Sequence, residues 1–232
     1  MNTDNRLSLG SDDGYAERAD EWMVLGSGKR FNFLDPRPED IDIADIARGL
    51  SKLCRYCGQC QGFYSVAQHS VLVARCVPAA LKLEALLHDA SEAYLGDIIQ
   101  PVKRFLPEFR RMEQHVQRAI RTRFKLPEKE ASEVEMADRR MMVTEKHLLF
   151  PERTPKWKLE EQGYLPYPEL RFTGLHHTSA LEGFMLAFHT YQRLHQAFLD
   201  ATIEVCEVCD GLSVEPVSKV CFSQECLPYA RK

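Results

Sequence analysis

Residues 85–96, with the sequence ALLHDASEAYLG, decide the fold because they place ionisable side chains inside an apolar stretch. His88 and Asp89 are adjacent, and Glu92 follows one helical turn later. At about 3.6 residues per turn, the three side chains share one side of a helix. Burying such groups beside leucines is costly unless they are paired or hold a cation. The stretch therefore predicts a helix, over about residues 79–96, that lines a divalent-metal site.

Other segments also have apolar residues at helical spacing. Ser65 and Gln68 have the pattern of a capping box and predict a helix that Pro78 ends. Further helices are predicted over about residues 41–53, 108–124 and 128–148, and one that opens on a second capping box, Ser179-x-x-Glu182. The fold class predicted is all-α, a helical bundle with a Pro-rich excursion and a small Cys-bearing tail.

The chain divides into three regions by composition. Residues 1–25 are polar with little apolar content, and we expect them to be disordered. Residues 26–204 form the predicted helical domain, which includes an excursion at residues 151–174 that contains four prolines. Residues 205–232 are a separate tail that bears cysteines.

The overall composition excludes several functional classes. The chain has 30 Lys and Arg and 34 Asp and Glu, which gives a net charge of −4. It therefore lacks the excess of basic residues that would predict nucleic-acid binding. No apolar run is long enough to predict a membrane span, and the N-terminus lacks the apolar core of a signal peptide. We therefore expect a cytoplasmic protein, in which the eight cysteines are thiols or metal ligands rather than disulfides.

Two further residues complete a candidate metal site. His69 lies in the helix before the His-Asp pair, and Asp138 lies in EMADRRMM on a later helix. Four ligands on three helices leave positions open for water and a phosphate oxygen. Imidazole and carboxylate ligands favour a site for one divalent transition-metal ion, which could be Mn, Co, Zn or Fe; Mg is also allowed.

At this point the sequence resembles a known family. FYSVAQHSVLVA (63–74), ALLHDASEAYLGDIIQPVKR (85–104) and ADRRMMVTE (137–145) are similar to the HD-domain superfamily of metal-dependent phosphohydrolases. The closer similarity is to bacterial 5′-deoxynucleotidases and phage-type dNTP or dATP phosphohydrolases, over about residues 31–150. The resemblance implies an HD-domain bundle and an enzyme that hydrolyses deoxynucleotide phosphates. It also implies a small-molecule nucleotide substrate and a homodimer or higher homo-oligomer.

The resemblance implies a role for each matching position. Glu92 would orient or deprotonate the attacking water, or protonate the leaving group, and Asp97 would contact the sugar or assist at the leaving oxygen. Lys103 and Arg55 would contact phosphate, although as residue types they are only candidates, since most cations are at the surface. The implied metal ligands are His69, His88, Asp89 and Asp138.

The loop before His69 departs from the family pattern. Relatives often have Gly-His-Thr where this chain has Gly58-Gln59-Cys60, inside Cys54-x-x-Cys57-x-x-Cys60. This departure weakens the transfer of substrate preference from relatives, so the base and the number of phosphates stay open. The three cysteines are either a second metal site or simple thiols.

Four more cysteines, spaced like a small zinc ribbon, lie in the tail. A short tail without a core needs a cross-link to fold, so they are either ligands of a structural zinc or free thiols. They are Cys206, Cys209, Cys221 and Cys226.

Two substrates and two other functions remain open. The substrate is either a dNMP, which yields a deoxynucleoside and phosphate, or a dNTP such as dATP, which yields polyphosphate. A cyclic or signalling-nucleotide phosphodiesterase would need a second metal, and the remaining histidines lack neighbouring acids. A zinc-binding interaction protein with an inactive HD core is the alternative from another class.

Overall fold

The computed structural model describes residues 22–200 and the two short strands Ile203–Val205 and Leu212–Val214. The described residues are mostly helical, with 59% of them in helices and 3% in strands. The all-α prediction is confirmed. Among the described residues, no helix combines the length and apolar character needed to cross a membrane.

The described α-helices differ greatly in length, and three of them are long. In chain order they are α1 (Ile43–Lys52), α2 (Val66–Arg75), α3 (Lys82–Leu86), α4 (Glu92–Leu95), α5 (Gln100–Lys103), α6 (Pro107–Arg123), α7 (Ser132–Leu149), α8 (Lys158–Glu161) and α9 (His177–Leu199). Short 3-10 helices occupy Pro38–Asp40, Arg55–Gly58 and Ala79–Leu81. Strands β1 (Met23–Val24) and β2 (Arg30–Phe31) pair antiparallel, as do β3 (Ile203–Val205) and β4 (Leu212–Val214).

Helix α2 begins as the sequence predicts, but only half of its capping box forms. The Ser65 side chain accepts a hydrogen bond from the Gln68 amide at 3.2 Å. The Gln68 side chain leaves the helix and binds the Pro-rich excursion, where it donates to the Thr173 carbonyl and accepts from the Leu175 amide. Gln68 therefore fixes the end of the excursion beside the first turn of α2, which carries His69.

The prediction of one continuous helix over residues 79–96 is wrong. Turns at residues 87–91 separate α3 from α4, and the amides of Ala90 and Glu92 bond to carbonyls three residues earlier instead of four. The side chain of Gln117 on α6 hydrogen-bonds the backbone at this break. Its Nε2 donates to the Leu87 carbonyl, and its Oε1 accepts from the Ser91 backbone amide. A side chain of a later helix thus stabilises the break that carries His88 and Asp89.

Two other helix starts differ from the prediction. Helix α7 begins at Ser132 rather than near residue 128, because a buried Glu84–Arg121 ion pair at 2.7 Å holds the preceding loop. Arg121 donates to the Lys129 carbonyl, and Glu84 accepts from the Ala131 amide. Helix α9 begins at His177, and the His176 side chain caps it. The predicted cap at Ser179 is therefore wrong.

The apolar core lies among α1, α2, α3 and α9, and α2 also packs against α7. Phe31 is fully buried and its ring stacks on Tyr94 at 4.0 Å between ring centres, which joins the β1–β2 hairpin to α4. Phe184 and Phe188 are buried on α9, as its helical spacing predicts. This packing brings α2, α7 and the α3–α4 turns to one region, where the candidate site lies.

Candidate metal centre

The four predicted metal ligands lie together in the structure. His69 comes from α2, His88 and Asp89 from the turns between α3 and α4, and Asp138 from α7. One ligand atom from each of His69, His88 and Asp138 lies within 4.8 Å of the others. The Oδ2 atom of Asp89 is 3.2 Å from His88 Nε2 and 3.7 Å from His69 Nε2. The fold therefore brings two imidazoles and two carboxylates to a single point.

The outer nitrogens of both imidazoles have partners that orient the rings. His69 Nδ1 lies 2.5 Å from Oε1 of Glu145, and His88 Nδ1 lies 2.8 Å from the carbonyl oxygen of Ala85. Both acceptors favour a proton on Nδ1, which leaves the Nε2 lone pair free on each ring. Both Nε2 atoms are buried without a hydrogen-bond partner and face the carboxylates. Orphaned buried nitrogens of this kind fit a metal ion.

The histidines and carboxylates of the site shift one another's pKa values in opposite directions. Burial lowers the pKa of His88, but the carboxylates of Asp89 and Asp138 outweigh burial and raise this pKa well above its ordinary value. Burial raises the pKa of Asp138, but His69 and His88 outweigh it and lower this pKa well below the usual range. The cluster therefore attracts positive charge, and a metal cation would take the place of the protons on the histidines.

Glu145 is a site residue that the sequence reasoning missed. Its side chain is fully buried and accepts hydrogen bonds from the hydroxyls of Tyr56 and Tyr64 in addition to its contact with His69. It lies seven residues after Asp138 on α7, two helical turns later. That spacing on one helix face is the signal that would have identified it.

Arg55 lies at the site, but carboxylates surround it. Its Nη1 is 3.4 Å from Asp89 Oδ2, and its Nε is 3.4 Å from Glu145 Oε2. The next two residues, Tyr56 and Cys57, have left-handed backbone with φ of 57° and 53°. Such conformations are costly for residues other than glycine and persist where surrounding contacts impose them. Here the buried contacts of Arg55 and Tyr56 hold the loop.

Glu92 and Lys103 also lie in the site, and they contact each other. Lys103 Nζ is 3.3 Å from Glu92 Oε1 and 2.6 Å from Oε1 of Glu113, a residue of α6 that the sequence reasoning did not select. The other oxygen, Glu92 Oε2, is buried and has no hydrogen-bond partner. Burial, together with the charge of Asp89, raises the pKa of Glu92 well above its ordinary value.

Asp97 follows α4 and is half-buried near the same charges. Burial raises its pKa, and Asp89 acts in the same direction, while Arg55 and Lys103 oppose the shift. The structure therefore places Asp97 within electrostatic reach of the other predicted site residues.

The cysteines do not extend the site within the described part of the chain. Cys54 is half-buried, Cys57 exposed and Cys60 buried, all as free thiols. Among residues 22–200, they form no group of three or more candidate ligands close enough to hold a metal ion. The four candidate zinc ligands of the tail, Cys206, Cys209, Cys221 and Cys226, lie outside the described residues.

Comparison with known proteins identifies relatives that carry no described activity. No protein-family model matches the sequence. The chain is 46% identical over 120 residues to the uncharacterized protein YfdR of Escherichia coli (strain K12), a match that covers 52% of this chain and 67% of YfdR. It is 44% identical over 116 residues to the uncharacterized protein RCAP_rcc00048 of Rhodobacter capsulatus, with 46% of this chain and 59% of that protein covered. The chain therefore belongs to the family of YfdR.

Proposed function

We propose that this protein is a metal-dependent phosphohydrolase that acts on deoxynucleotide phosphates. One observation carries the proposal: two buried histidine Nε2 atoms without hydrogen-bond partners face two carboxylates. Glu92, which interacts electrostatically with Asp89, adds a buried oxygen that also has no partner. The reaction is the release of phosphate from a dNMP, or of polyphosphate from a dNTP such as dATP. The resemblance of the surrounding motifs to HD-domain phosphohydrolases supplies the substrate class.

The residues present fit a divalent transition metal. His69, His88, Asp89 and Asp138 would hold it, and Glu145 and the Ala85 carbonyl would fix the two imidazoles. A bound Mn, Co, Zn, Fe or Mg ion would lower the pKa of a water molecule and offset negative charge on the phosphoryl group. The coupled charges of the four ligands favour binding of such a cation.

The remaining side chains would handle protons and phosphate. Glu92 Oε2 is free to exchange a proton with the attacking water or with the leaving oxygen, and burial, which raises the pKa of Glu92, favours a carboxyl that can give a proton as well as accept one. Arg55 is buried with its Nη1 3.4 Å from Asp89 Oδ2, so its charge would offset that of a phosphate near the metal. Asp97 would accept a hydrogen bond from a sugar hydroxyl or assist at the leaving oxygen.

A phosphate-release assay tests the proposal directly. We expect the protein, stripped of metal and reloaded with Mn, Co, Zn or Mg, to hydrolyse at least one member of a panel of dNMPs and dNTPs. Asp89→Ala should abolish turnover and reduce bound metal, measured by elemental analysis, because it removes a ligand. Asp200→Ala, at the exposed end of α9, is the matched control and should leave both unchanged.

Two results would contradict the proposal. If the metal-loaded protein hydrolyses no nucleotide of the panel, the assigned substrate class is wrong. If Asp89→Ala keeps the metal content and turnover of the unsubstituted protein, Asp89 is not a ligand.

A further inference from the structure

The ammonium of Lys103 lies between two carboxylates that belong to different helices. Lys103 ends the short helix α5, Glu92 begins α4, and Glu113 lies on the long helix α6. Its Nζ is 2.6 Å from Glu113 Oε1 and 3.3 Å from Glu92 Oε1. Glu113 is therefore the nearer partner, and Glu92 is the farther one.

The exposed fraction of the side chain rises from Glu92 through Lys103 to Glu113. The side chain of Glu92 is 5% exposed, that of Lys103 is 11% exposed, and that of Glu113 is 21% exposed. Charge-assisted hydrogen bonds are strongest at short distances such as that of the Lys103–Glu113 pair. Glu113 therefore anchors the ammonium from the side nearer to solvent, while Glu92 lies on the buried side.

This anchoring has a consequence for Glu92. The ammonium contacts only Oε1, and Oε2 stays buried without a hydrogen-bond partner. If the anchor were absent, Nζ would be free to approach Glu92 and contact both carboxylate oxygens. The two oxygens would then no longer be distinct, and none would remain free for proton transfer.

We propose that Glu113 is a positioning residue, which holds the Lys103 ammonium on Oε1 of Glu92 so that Oε2 stays free for proton transfer. This inference rests on the proposed phosphohydrolase function. Glu113 would act only through Lys103. Its distance in sequence from the His88-Asp89 motif therefore gave no reason to predict it as a site residue. A purely structural Lys103–Glu113 clamp between α5 and α6 would affect stability without affecting turnover.

The kinetic experiment compares variants with the most active substrate of the panel. We expect Glu113→Ala to lower kcat about tenfold with KM changed by less than about twofold, since proton transfer and not substrate binding is impaired. Glu113→Gln should stay within about threefold of the unsubstituted kcat, because its amide oxygen still accepts the Lys103 hydrogen bond. Glu108→Ala, on the exposed face at the start of α6, is the control and should leave kcat unchanged.

A double variant tests whether Glu113 acts through Lys103. In a Lys103→Met background, Glu113→Ala should change kcat by less than about twofold, because its partner is already absent. An equal loss of kcat in both backgrounds would overturn the inference, and so would a Glu113→Ala variant that is as active as Glu108→Ala.

Crystal structures provide a readout that does not depend on activity. In Glu113→Ala, Lys103 Nζ should contact both oxygens of Glu92, whereas Glu113→Gln should keep the single contact. If Lys103 Nζ still contacts only Oε1 of Glu92 in the Glu113→Ala structure, the inference is overturned even if kcat falls. Lack of hydrolysis by the unsubstituted protein would refute the proposed function, and the structures would still decide whether Glu113 positions Glu92.

Discussion

Replacing Glu145 with glutamine changes one buried oxygen to an amide nitrogen and tests how the candidate metal centre is oriented. Glu145 accepts hydrogen bonds from His69 Nδ1 at 2.5 Å and from the Tyr64 hydroxyl at 2.7 Å, and it also binds Tyr56. All three partners can act as donors. The glutamine amide oxygen can take the position of Oε1 and still accept from His69 Nδ1 and Tyr64, but its NH2 group then faces Tyr56 and Arg55, which contact Oε2. The hydrogen bond that orients His69 would also lose its charged acceptor, which weakens it.

Two magnitudes follow from these contacts. Mutation of the partner that orients a metal-ligating histidine typically lowers metal affinity by about 10- to 100-fold, and because glutamine keeps a neutral acceptor we expect the lower end, about tenfold. Removal of one member of a buried ion pair costs about 3–5 kcal/mol. Because Arg55 keeps Asp89 at 3.4 Å when the Glu145 charge is lost, we expect a loss near the lower end, about 3 kcal/mol.

The two effects are measured separately. Calorimetric titration of metal into chelator-stripped protein gives the affinity, and urea unfolding in the presence of chelator gives the free energy of unfolding. Glu152→Gln, at an exposed position just beyond α7, is the matched control and should change neither quantity. A Glu145→Gln variant that binds metal as tightly as the unsubstituted protein would refute the assignment of Glu145 as the residue that orients His69.

Three substitutions that remove or introduce a glycine test the backbone conformations of the loop, the excursion and α9, with chemical denaturation as the measurement. Cys57→Gly should raise the free energy of unfolding by about 1 kcal/mol, because exposed Cys57 has φ of 53° and a left-handed backbone costs other residues about 1–2 kcal/mol; a decrease would contradict this interpretation of the loop. Gly174→Ala should destabilise the protein by about 1–3 kcal/mol, since a Cβ there would lie 1.9 Å from the Phe63 carbonyl oxygen. Gly183→Ala on α9 should instead stabilise it by about 0.5–1 kcal/mol, because an added Cβ would meet no atom within 4 Å beyond the local backbone of its own helix. Equal effects at Gly174 and Gly183 would show that the close approach of the excursion has no energetic importance.

The sequence predicted some of the parts of the fold that depend on near neighbours. The Ser65 cap correctly places the start of α2, because its hydrogen bond joins residues three positions apart. The four candidate ligands were also selected from the sequence, since residue type and helical spacing are visible there, and the structure brings them together.

Two of the errors occur where a distant residue changes the local outcome. The break at residues 87–91 depends on Gln117, which is 26 positions from Ser91 and 30 from Leu87. The late start of α7 depends on Glu84, which is 47 positions from Ala131. No local periodicity contains such contacts, so a continuous helix and an earlier α7 were predicted instead.

By itself, the sequence determined the helical class and the kinds of side chain available to the candidate site. Only the tertiary structure decided what each of those side chains contacts. It directs Nδ1 of His69 to a carboxylate 76 positions away and so leaves Nε2 without a partner, and it pairs Lys103 with Glu113 as well as Glu92. The physical reason is that hydrogen-bond direction and burial depend on how helices pack, whereas composition and spacing belong to the chain before it folds.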